Sequence, residues 1–464
     1  MTRRVSSLFS DDPTESPCEL HLVNTADFTT WADRASPDVS SWVRRNLPDP
    51  SPAAVLPLPD DGNGQGRYLG LVGGAEPFWS MAGVARQLPP GHYRLASPAA
   101  DPTAAALAWG LGQYAFDRYL PAAGRPPRQL LWPDGADRQQ VLQQIRADTL
   151  TRDLVNTPAE DMGPGELEAA ARALVSEWGG ELNVTAGDDL LDAGLPAIHA
   201  VGRAASRPPR LLDLTWGNPE HPRLTLVGKG VCFDSGGLDI KPAAGMRHMK
   251  KDMGGAAHVL GLASLVMASA LPVRLRVLVS AVENSISATA YRPGDIVRTR
   301  SGLTVEIGNT DAEGRMVLCD ALSLACEESP DLVIDMATLT GAARVALGPD
   351  LPALFARPVG LARELEQLGH EHSDPLWTMP LWAPYDTELK SPVADLNNIA
   401  SGGFAGAVFG GLFLQRFVPE EIRWMHIDVF SWNPRTRVGR PEGGAAQGLR
   451  ALAAFLEARY RAGA

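Results

Sequence analysis

Apolar and polar positions alternate along Thr304-Val305-Glu306-Ile307, and an apolar run with helical spacing follows over residues 316–325. A period of two predicts a half-buried strand and the second run a buried helix, leaving 308–315 as the loop between them. The stretch 224–228 predicts a buried strand, 274–280 and 331–335 predict further strands, and 165–178 and 254–270 predict helices. Strands alternating with helices imply a mostly parallel sheet covered by helices on both faces, an α/β fold whose chemistry gathers at the carboxyl ends of the strands. Toward the N-terminus 68–72 and 92–95 read as short strands and 104–119 as a helix, which suits a smaller α/β domain. A Pro/Gly cluster at 121–127 breaks the pattern. The Gln- and Arg-rich stretch 136–156 then reads as a helix acting as a solvated connector. The expected organisation is a non-catalytic N-terminal domain at 1–133, a linker helix at 134–157 and a catalytic domain at 158–464.

Composition narrows the class. A chain of 464 residues is too long for one ordinary core. The net charge of −12 argues against a nucleic-acid-binding surface, so nucleic acid is not an expected partner. Cys18, Cys232, Cys319 and Cys326 form no CxxC pair and suit buried thiols in a reducing compartment. Arg3 and Arg4 are followed by Asp11, Asp12 and Pro13 before any long apolar core, which does not read as a signal peptide, and no apolar run is long enough to span a membrane. A cytoplasmic protein is expected.

Three clusters carry candidate chemistry. Gly308-Asn309-Thr310-Asp311-Ala312-Glu313-Gly314-Arg315 sets two carboxylates and a guanidinium between flexible glycines. Asp311 and Glu313 are two apart, so in an extended loop they face one way, and like charges facing one spot call for a cation or a shared proton. In the second cluster Lys229 stands between Gly228 and Gly230 directly after a buried strand, poorly placed to reach solvent and suited to an anion, a ligand or a metal. A phosphate-cradling loop is excluded there, because the GxxxxGK[ST] spacing is absent. Asp234-Ser235-Gly236-Gly237 presents a carboxylate at a tight turn, with Lys241 shortly after it. In the third, Asp252 precedes Gly254-Gly255 at a helix start, where an N-cap and a ligand weigh equally. Singly, each residue has a structural alternative: caps for Asp311 and Glu313, an ion-pair partner for Arg315, a solvated charge for Lys241, core or surface positions for His248, His258 and His426. Jointly, four carboxylates, two lysines and an arginine on strand-end loops of one sheet are hard to explain as caps.

These clusters resemble the signatures of the leucyl aminopeptidase (cytosol aminopeptidase) family of dinuclear metallopeptidases. The matching stretches are Asn309-Thr-Asp-Ala-Glu-Gly-Arg315, Gly228-Lys-Gly-Val-Cys-Phe-Asp-Ser-Gly-Gly237, Lys241, Asp252-Met-Gly-Gly-Ala-Ala257, Arg152-Asp-Leu-Val-Asn-Thr-Pro158 and Thr338-Leu-Thr-Gly341, in the family's order. The resemblance implies that Lys229, Asp234, Asp252, Asp311 and Glu313 bind two divalent cations, zinc or manganese or magnesium, with Lys229 as a neutral amine. It implies a metal-activated water that cleaves the first residue from a peptide, with Lys241 stabilising the oxyanion and Arg315 holding a bicarbonate as general base. It also implies a homohexamer. Two alternatives accompany this reading: a dipeptidase of the Cys-Gly type on the same site, and an additional DNA-binding regulatory role.

By the same resemblance, Met249, Thr338, Gly341 and Phe430 line the pocket for the substrate's first side chain. Here the chain departs from relatives that read Asp-Ile-Ala-Gly after the histidine: it reads His426-Ile427-Asp428-Val429-Phe430-Ser431-Trp432-Asn433. Phe430 replaces a small residue and Asn433 an apolar one, so an altered, narrower first-residue preference is expected. The alternative is that Phe430 turns into the core and leaves the pocket untouched.

Overall fold

The computed structural model describes residues 5, 7–11, 16–62, 64–120 and 128–461. The Pro/Gly cluster at 121–127 lies outside them. The chain divides into two compact units, 1–149 with 433–442, and 150–432 with 443–464. Among the described residues four hydrophobic clusters form, two within each unit.

The smaller unit is built on a six-stranded sheet in the order Phe9–Ser10, Arg128–Leu131, Gly91–Leu95, Cys18–Asn24, Arg67–Val72, Val55–Pro57, parallel except for the last pair. Helix Pro102–Gly112 starts at Asp101, whose carboxylate caps Ala104 N, and stops short of the expected 119.

The larger unit holds an eight-stranded sheet. We number its strands β1 (Glu181–Ala186), β2 (Arg210–Trp216), β3 (Arg223–Asp234), β4 (Arg274–Asn284), β5 (Leu332–Ala337), β6 (Ala353–Arg357), β7 (Trp377–Thr378) and β8 (Arg423–Asp428). The order is β7-β6-β8-β5-β3-β4-β2-β1. The central run β8-β5-β3-β4 is parallel throughout, and antiparallel pairing is confined to its flanks. Two helices press on this centre. Helix α1 (Gly254–Ala268) is apolar nearly all round and buried accordingly. Its start needs glycine: a Cβ on Gly255 would come within 2.0 Å of Met336 O in β5. Helix α2 (Glu313–Cys326) buries twelve of its fourteen residues.

Three expectations are corrected. β3 does not end at Gly228; it continues to Asp234, so Lys229 lies within the strand. The strand before the acidic loop, Thr304–Glu306, belongs to a separate three-stranded sheet with Ile296–Arg298 and Leu396–Asn397, so the clusters are not all on one sheet. The helix Arg138–Asn156 is no solvated connector: Val141, Ile145, Ala147, Asp148, Thr151, Arg152 and Val155 are buried. Its polar residues serve packing, with Thr151 donating to Ala257 O (3.2 Å) and Arg152 Nε to Gly444 O (3.0 Å).

Candidate metal centre

Lys229 is the hub. It is almost fully buried, and its Nζ donates to Thr338 O (2.9 Å) and lies 2.7 Å from Asp252 Oδ2 and 2.8 Å from Glu313 Oε1. Burial opposes its charge, but Asp252 and Glu313 outweigh that and hold the ammonium above the ordinary lysine range. Gly314 leaves it room: a Cβ there would sit 2.8 Å from Nζ.

The carboxylates arrive on separate elements. Asp234 ends β3 and accepts from Gly236 N (2.9 Å) and Asn284 Nδ2 (2.8 Å), with Lys241 Nζ 2.7 Å from its other oxygen. Asp252 lies in the 3₁₀ turn Met249–Met253. It is not an N-cap, since Met253 takes that place, and its Oδ1 accepts from Thr338 Oγ1 (2.7 Å). Glu313 opens α2, where a negative charge suits the helix N-terminus. Asp234, Asp252 and Glu313 each bring an oxygen within 4.8 Å of the others, the one grouping of this kind among the described residues. Asp311 stands outside this trio, half-buried and ion-paired with Lys241. Its loop is fastened from behind: Tyr291 OH (2.8 Å) and Asn284 Nδ2 (3.0 Å) donate to Thr310 O, and Asp239 accepts from Thr310 N (2.8 Å).

Do these residues fit divalent cations? Burial, then the nearby Asp234, pushes Glu313 up to about 8 and Asp311 up to about 6. Asp252 Oδ2 and Asp311 Oδ1 are buried and meet no aligned hydrogen-bond donor, only lysine ammoniums at ion-pair range. Crowded, desolvated carboxylates of this kind are what a multivalent cation resolves, and oxygen donors plus one amine, without thiol or imidazole, suit zinc, manganese or magnesium. They fit.

A cleft of about 360 Å³ opens over the cluster. Lys229, Asp234, Asp252, Asp311, Glu313 and Lys241 line it, and so do Met249, Thr338, Gly341 and Phe430. Phe430 is half-buried, with Lys251 Nζ 5.0 Å and the Arg344 guanidinium 4.9 Å from its ring centre. Arg315 is not among the lining residues. It is buried behind them, donating to Asn398 O (2.6 Å), with its Nε unpartnered, and burial pushes it down to about 10. Asn433 turns its amide to Arg440 O (3.0 Å) and Pro441 O (2.7 Å). His426 and His258 are core residues, on Asp335 (2.5 Å) and Gly254 O (2.7 Å).

Sequence reasoning set His248 aside as a structural histidine and passed over Lys251, Arg344 and Asp428, yet all four line the cleft. Asp428 accepts from Leu339 N (2.9 Å), Thr340 N (3.1 Å) and Thr340 Oγ1 (2.7 Å), so it fixes the 338–341 loop. It ends β8, and a carboxylate closing a buried strand was the signal that could have found it.

Residues 149–453 match the model of the cytosol aminopeptidase family, catalytic domain, about two thirds of the chain. The chain belongs to the cytosol aminopeptidase family. Residues 18–133 match the model of the M17 aminopeptidase N-terminal domain. A probable cytosol aminopeptidase from Syntrophotalea carbinolica is 46% identical over 312 residues, 66% of this chain and 62% of the relative. The crystal structure of the cytosol aminopeptidase from Coxiella burnetii superposes with a TM-score of 0.92 at 45% identity, covering 98% of this chain and all of that one (100%). The bottromycin maturation enzyme BotP, solved in complex with Mn, gives 0.85 at 31% identity over 96% of this chain and 100% of its own. As a cytosol aminopeptidase the chain is a metal-dependent hydrolase that acts on the N-terminal residue of peptides. These relatives favour that activity over the dipeptidase and DNA-binding alternatives. One departure from the family pattern has a visible cost: Ser431, at the position of the Gly in Asp-Ile-Ala-Gly, holds φ 58°, a left-handed conformation that favours glycine.

Proposed function

We propose that the chain is a two-metal aminopeptidase in which Lys229, Asp234, Asp252, Asp311 and Glu313 hold zinc or manganese, with magnesium as the third candidate. The observation that carries this is the convergence of Asp234, Asp252 and Glu313 within 4.8 Å beside Lys229. Bound there, two divalent cations supply an acidified water and a polarised carbonyl, and a bicarbonate at Arg315 supplies the proton acceptor. The chain's own residues do the rest. Lys229 would hold a cation as a neutral amine, its proton released to solvent as the cation takes over the balancing of Asp252 and Glu313. Lys241 swings its ammonium from Asp234 and Asp311 onto the oxyanion as negative charge develops. Arg315, whose buried Nε lacks a partner, orients an anion from behind Glu313. Thr338 and Gly341, held by Asp428, and Met249 and Phe430 receive the first side chain, and Phe430 narrows the space.

Residues 158–464 carry the chemistry, 134–157 hold the linker helix, packed and not solvated, and 1–133 take no part in catalysis. A cytoplasmic homohexamer is the expected setting, and among the described residues no helix is long and apolar enough to cross a membrane. The test is turnover and metal content measured together on variants. Lys241→Ala or Arg315→Ala should lower kcat about a hundredfold, the loss typical of a missing transition-state donor, with metal content near wild type. Loss of metal with an unchanged rate per bound metal would remove these two residues from the mechanism.

A further inference from the structure

We propose that Lys251, assisted by Arg344, selects substrates whose first residue is acidic, its ammonium receiving the side-chain carboxylate of an N-terminal Glu or Asp. The proposal rests on the aminopeptidase reading above and names its substrate class. Lys251 lies in the turn Met249–Met253, in the wall of the cleft, and is only 6% exposed. A lysine buried so deeply is ordinarily paired with an acid. Here no ion pair or hydrogen bond joins its Nζ to another described residue, and the contact it makes is with the Phe430 ring.

The two carboxylates that bear on its charge are Asp252 and Asp428. Both are engaged elsewhere, Asp252 by Lys229 and Thr338, and Asp428 by the amides of Leu339 and Thr340 and the Thr340 hydroxyl. Arg344 lies over the same phenyl ring, so two cationic side chains share it. A cation–π contact to phenylalanine offsets only part of the cost of burying an ammonium. That wall therefore carries positive charge that the protein leaves unbalanced, next to residues assigned to the first side chain. A carboxylate entering from the substrate completes the missing pair. Phe430 then acquires a purpose: it sets the two cations on one surface where a small residue would leave an open apolar bowl.

The experiment compares kcat/KM for Glu-, Asp- and Leu-p-nitroanilide and for the dipeptide Leu-Gly on the manganese-loaded full chain. The wild type should hydrolyse the Glu or Asp substrate at least as well as the Leu one. Lys251→Met should cut the Glu-to-Leu ratio at least tenfold at wild-type metal content. Arg344→Ala, at an exposed position with little folding risk, should lower the ratio in the same direction. A wild type that hydrolyses the Leu substrate and rejects Glu, or a ratio unmoved in both variants, overturns the proposal and leaves the aminopeptidase reading standing. If Lys251→Met slows Leu-Gly and spares Leu-p-nitroanilide, the lysine contacts the substrate's C-terminal carboxylate and the proposal is again overturned. No hydrolysis of any substrate after metal loading overturns both.

Discussion

Lys229 and Gly314 have to be understood together. Glycine in the first turn of an exposed helix is a liability, and alanine there would gain up to about 1 kcal/mol. In α2 the added methyl group would lie 2.8 Å from Lys229 Nζ and as close to its Cε. A free lysine would swing aside, but this one is tied to Thr338 O, Asp252 and Glu313. Gly314→Ala should therefore leave thermal stability within a few degrees while weakening metal binding by about ten- to a hundredfold, the usual price of displacing a group that positions ligands. Competition with a chromophoric chelator measures this, and wild-type affinity in the variant would show that Lys229 does not depend on that space. The residue types at this site could be read from the sequence because each is costly anywhere else: a lysine between glycines on a buried strand, two carboxylates two apart. Lys251 could not, since a Lys-Lys pair reads as surface, and its burial is decided by a turn the pattern does not announce.

At the scale of elements, α1 is held at its start by a histidine whose protonation state is fixed by its neighbours. His258 Nε2 accepts from Gln447 N (2.9 Å), which can only donate, so Nδ1 carries the proton toward Gly254 O (2.7 Å). Burial pushes its pKa down to about 4 from 6.5. With the folded value below the unfolded one, stability is full above pH 6.5 and falls as the pH drops toward 4, by roughly 3 kcal/mol in all. Glutamine offers the same acceptor and donor without a titration. Denaturant titrations in chelator at pH 7 and pH 4.5 should show a smaller acid loss in His258→Gln than in the wild type. Equal losses would mean that His258 is reached by water. The same scale explains what the periodic pattern missed. It predicts that a strand lies at 224–228, but β3 runs on to Asp234 because Lys229 and Asp234 find partners inside the fold, and hydrophobicity alone ends the strand at the first charge.

At the scale of the whole chain, the segment 433–442 leaves the larger unit's sequence to fold with the smaller one. It is secured there by Arg440, whose guanidinium pairs with Glu76 and lies 4.8 Å from the centre of the Trp79 ring, and by Val438, packed so closely that a Cβ on Gly83 would come within 2.7 Å of it. No pattern along the sequence betrays such a return, because Asn433-Pro434-Arg435-Thr436-Arg437 reads as any polar loop would. Deleting residues 1–149 removes Glu76, Trp79 and Gly83 together. The larger unit keeps both of its hydrophobic clusters and every residue assigned to the metals, so the truncated chain should still bind manganese. Its segment 433–442, however, loses the contacts that order it and presents Arg435 and Arg437 to trypsin. Brief digestion followed by mass spectrometry should find early cuts there in the truncated chain and none in the full one, and replacing the segment with a short Gly/Ser linker should remove them. Resistance in the truncated chain, or cleavage spread evenly over the sheet, would mean that the segment's order does not come from the smaller unit.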